Sequence, residues 1–135
     1  MKLSKETRIA VWEKHNKHCS YCGKEIEYKQ MQIDHIEPIF RNYKDKELEY
    51  MKRSRGEHNT DNFNPSCARC NRWKSTYTLE QFRKEIQLQT DRLNRDSSNY
   101  RISLDFGLIQ ETKKEVKFYF ETTIILSQVS FLNYI

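Results

Sequence analysis

Cys19-Ser-Tyr-Cys22 and Cys67-Ala-Arg-Cys70 are two Cys-x-x-Cys pairs that bracket the central part of this 135-residue chain. A thiolate is a good zinc ligand, and two cysteines three positions apart can supply one edge of a tetrahedron. Since sulfur fills all four positions, no coordination site remains for water, and we predict a structural zinc ion. Buried free cysteines or a disulfide are the alternatives. Reduced cytoplasmic thiols favour metal binding over a disulfide.

Four polar residues between or directly after the cysteine pairs are candidates for a functional site. They are Asp34, His35, Asn62 and Asn71. A zinc ion that joined the two pairs would gather these side chains around one point. Residues 31–36 read as a short strand, and neighbouring residues on a regular strand point to opposite faces. Asp34 and His35 are therefore expected where that strand ends.

The chemistry of these side chains matches the needs of phosphodiester hydrolysis. That reaction requires an activated water, a Lewis acid and help for the leaving oxygen. Asp34 and Asn71 offer the hard oxygen ligands that suit Mg²⁺ or another divalent ion as a catalytic metal. His35 is the candidate general base, because an imidazole with a pKa of about 6.5 can accept a proton at neutral pH. The arrangement predicts a nuclease.

The order Asp-His, Asn, Cys-x-x-Cys-Asn-x-x-Lys resembles the HNH endonuclease family over roughly the first 85 residues. The resemblance implies an α+β fold with a ββα-metal nuclease core, a structural zinc site and metal-dependent cleavage of DNA. It implies that Asn62 steadies the histidine-bearing segment and that Lys74 contacts a DNA phosphate. Arg72, beside it, is a second candidate for DNA binding. The alternative for Lys74 is a solvated helix lysine.

Charge and hydrophobicity limit the partners of this chain. A formal net charge of +5 favours a polyanion, and we expect double-stranded DNA. The charged beginning of the chain is unlike a secretory signal, and no run approaches the ~20 apolar residues of a membrane span. We expect a cytoplasmic protein of prokaryotic or phage origin. The alternative to an enzyme is a catalytically silent zinc module that binds nucleic acid. The sequence leaves open whether the protein forms a homodimer or a larger assembly.

The remaining sequence suggests helices around the nuclease motifs and a separate extension. Helices are predicted from Ser4 to about residue 15, over 46–52, from 67 to about 77 and from Thr78 to about 94. Thr78 and Gln81 have the spacing of a capping box, and Gly23 can take the positive φ of a tight turn after Cys22. The loop 41–60 carries basic residues and His58, which either follow a DNA backbone or lie in solvent. We place the nuclease domain at residues 1–95. Alternating apolar residues after residue 101 predict a C-terminal β-hairpin within an extension of unknown role, 96–135. Its apolar residues either dock a partner or cover the preceding helix, and we favour packing.

Overall fold

The computed structural model describes residues 2–122 of the chain. Two antiparallel strands, β1 (Gln32–His35) and β2 (Phe63–Ser66), pair with Asp34 opposite Asn64. The helix that follows β2 packs against β1. This ββα unit, surrounded by short helices, confirms the predicted α+β class with an HNH-type core.

Six α-helices are described, and most begin at a side chain that caps the first turn. They are α1 (Lys5–Glu13), α2 (Asp45–Tyr50), α3 (Ala68–Lys74), α4 (Leu79–Gln87), α5 (Gln89–Asp96) and α6 (Ser98–Asp105). Ser4 accepts from the backbone N of Thr7 at 3.1 Å, and Thr78 forms the predicted capping box with Gln81. Short 3₁₀ turns at Tyr28–Gln30 and Thr60–Asn62 precede β1 and β2. Within residues 2–122, no helix has the length and apolar character needed to cross a membrane.

The predicted C-terminal β-hairpin is wrong where the structure describes it. Residues 98–105 form α6, which begins where Ser97 accepts from the backbone N of Tyr100 at 3.2 Å and ends before Gly107, whose φ is +70°. The alternating apolar residues do not face a sheet, since Ile102 and Phe106 are 56% and 77% exposed. Local capping therefore outweighs the two-residue periodicity here. The predicted helix from 78 to 94 is likewise divided, at Leu88, into α4 and α5.

A small aromatic core joins the segment after α6 to the cysteine pairs. Phe118 is buried, stacks on Phe82 with ring centroids 5.3 Å apart, and meets the ring of Tyr21 edge-on at 5.2 Å. The backbone N of Phe120 donates to the carbonyl of Ser20 at 2.9 Å. Phe118 therefore packs against α4, which is the role we favoured for the apolar residues of the extension. Residues 124–126, which are also apolar, lie outside the described residues.

Candidate active site and metal centre

The four cysteines come together in space as predicted. Their sulfur atoms all lie within 4.8 Å of one another, and Sγ of Cys22 is 4.0 Å from Sγ of Cys67. A tetrahedron with Zn–S bonds of ~2.3 Å has sulfur atoms ~3.8 Å apart. The spacing and the all-thiolate donor set therefore fit a zinc ion.

Each cysteine pair folds as a tight turn that is closed by a hydrogen bond from a backbone N–H group. Gly23 has a φ of +75°, as expected for the turn after Cys22, and its N donates to the carbonyl of Cys19 at 3.0 Å. In the second pair, the sulfur of Cys67 accepts from the backbone N of Cys70 at 3.4 Å and begins α3. Because Asn71 and Lys74 lie on α3, the second cysteine pair fixes the start of the helix that carries both residues.

Four thiols packed together cannot all ionise without a cation. Burial raises the pKa of Cys22, and the neighbouring Cys19 and Cys67 sulfurs raise it further. A zinc ion reverses this balance, because it binds the thiolate form and releases the protons. The cluster consequently fits a bound cation.

Asp34 is buried in an ion pair rather than exposed at the surface. Its Oδ2 lies 3.1 Å from Nζ of Lys74 and accepts a hydrogen bond from the hydroxyl of Tyr21. Lys74 also donates to the carbonyl oxygen of His35 at 2.8 Å. Burial raises the pKa of Asp34, whereas Lys74 and Tyr21 oppose that rise.

The structure contradicts the prediction that Lys74 contacts a DNA phosphate. Its side chain is 0% exposed, and its ammonium group is used by Asp34 and by the backbone of β1. The solvated alternative is wrong for the same reason. Lys74 instead joins α3 to the end of β1. Arg72 is exposed and has no hydrogen bond or ion pair within residues 2–122, so its charge is available to a ligand.

His35 lies at the end of β1, where the sequence placed it, with its ring edge-on to Phe63 at 5.2 Å. Its Nε2 is 2.9 Å from Nδ1 of His58. Burial lowers the pKa of His35 to about 4, with further lowering from His58, Arg41 and Lys74. The imidazole is therefore neutral at pH 7 and able to accept a proton.

Asn62 fastens two backbone segments to each other. Its Oδ1 accepts from the backbone N of Glu37 at 2.8 Å, and its Nδ2 donates to the carbonyls of Glu37 at 2.9 Å and Glu57 at 2.8 Å. Gly56 lies within this clamp and donates its N–H to the carbonyl of Pro38 at 2.8 Å. These contacts are those of a side chain that positions the segments flanking His35.

Asp34, His35 and Asn71 line one open cleft of about 420 Å³. The side-chain nitrogen of Asn71 donates to Oε1 of Gln32 at 2.6 Å, which leaves its oxygen without a partner among the described residues. One carboxylate and one amide oxygen suit Mg²⁺, which keeps several waters and takes few protein ligands. The donor set fits a divalent ion, although Asp34 would share its charge with Lys74.

Three contributors to this site were missed or misread in the sequence. His58 was interpreted as a residue of the basic loop, yet it contacts His35. Tyr21 lies between Cys19 and Cys22, where the motif assigns it no role, and Gly56 lies in the loop 41–60. Each acts through a contact between residues far apart in the sequence, which spacing alone does not reveal.

Residues 19–76 match the model of the HNH endonuclease family. The match spans both cysteine pairs, both strands and the whole cleft, and it confirms the resemblance inferred from the motifs. No curated protein matches the chain.

Proposed function

Because residues 19–76 carry an HNH endonuclease-family domain, we propose that this protein is a metal-dependent DNA endonuclease that hydrolyses phosphodiester bonds at the cleft of Asp34, His35 and Asn71. The observation that carries the proposal is the position of His35 in the cleft, where its Nε2 contacts His58 and its Nδ1 has no partner among residues 2–122. A water-activating base requires such an unpartnered ring nitrogen beside the oxygen donors.

His35 accepts the proton of the attacking water at Nδ1. The water oxygen forms a bond to phosphorus as the bond from phosphorus to the 3′ oxygen breaks, and that oxygen takes a proton from solvent. The products are a 5′-phosphate and a 3′-hydroxyl. The protein holds the base in place through the Asn62 clamp and holds the end of β1 through the bond from Lys74 to the His35 carbonyl.

Asp34 and Asn71 would hold a divalent ion, Mg²⁺ or a similar cation, which supplies Lewis acidity for the charge on the phosphate. The cysteine cluster would hold a structural zinc ion. Arg72, exposed on α3, is the residue we assign to the DNA backbone. The positive net charge of the chain attracts duplex DNA toward this surface.

The test uses purified protein, supercoiled plasmid and Mg²⁺, with and without EDTA. We expect nicked or linear product with Mg²⁺, no product with EDTA, and a loss of at least ~10²-fold in rate for His35→Ala. His35→Ala should keep DNA affinity within a few-fold, because a base adds little to ground-state binding. If wild-type protein binds DNA but produces no cleavage with any divalent ion, the chain is the silent nucleic-acid-binding module instead.

A further inference from the structure

We propose that His58 is a positioning residue for His35 in the endonuclease reaction, an inference that rests on the proposed function. Nδ1 of His58 lies 2.9 Å from Nε2 of His35, and the two ring centroids are 5.1 Å apart. The contact joins residues from two segments that are distant in sequence. It gives the candidate base a fixed partner on the side of the ring opposite its free nitrogen.

The backbone around His58 is held by the same contacts that hold the end of β1. Asn62 donates to the carbonyl of Glu57, and Gly56 donates to the carbonyl of Pro38, both at 2.8 Å. The ring of His58 packs on Phe63 with centroids 5.0 Å apart. His58 is therefore part of the framework of the site rather than a mobile residue of the basic loop.

Burial separates this role from a role in binding DNA directly. Nε2 of His58 is buried and has no partner within residues 2–122. A histidine that contacted a phosphate would present a ring nitrogen to solvent. In His58, Nε2 is buried and Nδ1 contacts His35. A buried unpartnered nitrogen is costly, and the contacts with His35 and Phe63 offset that cost.

The contact with His58 can hold His35 in its reactive tautomer. A neutral imidazole carries one N–H, so His35 can accept a proton at Nδ1 only when its own proton is on Nε2. In that state Nε2–H donates to the lone pair on Nδ1 of His58, and His58 carries its proton on Nε2. After His35 accepts the water proton, the same bond donates from an imidazolium, and such charge-assisted bonds are the stronger kind. The acceptor on His58 thus favours both the reactive tautomer and its protonated product.

Two substitutions separate the hydrogen bond from the packing. His58→Phe keeps an aromatic ring against Phe63 and removes Nδ1, whereas His58→Asn restores an acceptor near the Nδ1 position. We expect His58→Phe to lower kcat by roughly 10- to 100-fold, because a misplaced base costs about that much. KM should stay within about threefold, and His58→Asn should recover most of the lost kcat. Lys46→Ala, an exposed substitution on α2, is the control for lost surface charge and should match the parent.

Side-chain ¹⁵N resonances of His35 provide a readout that needs no cleavage. We expect the parent to carry the His35 proton on Nε2, His58→Phe to show a mixture of tautomers, and His58→Asn to resemble the parent. A parent-like kcat in His58→Phe, or a raised KM with unchanged kcat, would overturn the positioning role. If the tautomer changes as expected but the parent cleaves no DNA, the positioning role stands and the endonuclease proposal fails.

Discussion

Asp34 and Lys74 form a buried ion pair in which Oδ2 and Nζ are 3.1 Å apart and the side chains are 5% and 0% exposed. The two residues come from β1 and from the last turn of α3, so the pair links both parts of the ββα unit. Removing one partner of a buried pair leaves the other charge uncompensated, and that change costs about 3–5 kcal/mol.

We therefore expect Lys74→Met to destabilise the domain by about 3–5 kcal/mol. Arg72→Ala, at an exposed position on the same helix, should change stability by less than about 0.5 kcal/mol. The measurement is chemical unfolding at constant zinc. Arg72→Ala should instead lower the salt slope of DNA binding by about one. The double variant Asp34→Asn, Lys74→Met should recover part of the lost stability. Unchanged stability in Lys74→Met, together with weaker DNA binding, would restore Lys74 to the DNA surface.

Asn71→Ala is expected to raise the Mg²⁺ concentration that gives half-maximal cleavage, because it removes one oxygen from the cleft. Higher metal concentration should recover part of the activity. Gln32→Ala is the matched control, since it removes only the partner of the Asn71 nitrogen. Metal titrations of cleavage rate measure both variants. An identical metal requirement in the parent and in Asn71→Ala would remove Asn71 from the metal site.

Gly56→Ala tests the clamp around Asn62. A Cβ at residue 56 would lie 1.9 Å from the carbonyl oxygen of Glu37 and 3.0 Å from Nδ2 of Asn62. We expect a loss of about 1–3 kcal/mol in stability and a lower kcat. Gly107→Ala is the control, because its φ of +70° adds backbone strain but no atom lies within 4 Å of the added Cβ. Gly107→Ala should lose some stability and keep its cleavage rate per folded molecule. A similar kcat in Gly56→Ala and Gly107→Ala would argue against a role of the Asn62 clamp in cleavage.

Removal of the cysteine-bound metal should unfold the nuclease region. The core is small, with a few aromatic side chains around Tyr21 and Phe82, so metal binding contributes directly to folding. We expect one zinc per chain by elemental analysis and loss of cooperative thermal unfolding after chelation. Zn²⁺-saturated EDTA at the same ionic strength is the control. A folded, zinc-free protein with reduced cysteines would contradict this expectation.

Glu121 forms a pH-dependent ion pair with Arg83 of α4. Arg83 lowers the pKa of Glu121, so the pair stabilises the protein above the ordinary carboxyl pKa, and that stability is lost as the pH falls through the lowered value. Arg83 also donates to the carbonyl of Val116 at 2.8 Å, which joins this segment to α4. We expect Glu121→Gln to be less stable than the parent by about 1 kcal/mol at pH 7. The difference in thermal midpoint should shrink below pH 4, and a constant difference would exclude the charge as its cause.

The local parts of this molecule were predictable because they depend on neighbouring residues. The spacing within each Cys-x-x-Cys pair, the positive φ of Gly23 and the capping box at Thr78 involve contacts over three or four positions. The end of β1 at His35 followed from the alternation of side chains along a strand. Local signals also misled, since the alternation after residue 101 predicted strands where Ser97 caps a helix.

The contacts that complete the candidate site depend on the tertiary structure. Lys74 is 40 residues from Asp34 in sequence, and His58 is 23 from His35. A lysine on a helix and a histidine in a charged loop both read as solvent-exposed, because their polar groups are costly to bury without partners. Only the packing of α3 on β1, and the contacts of residues 56–58 with Asn62 and the end of β1, supply those partners. The motif therefore determined which side chains could perform the chemistry, while the fold decided which of them face the cleft and which hold the others in place.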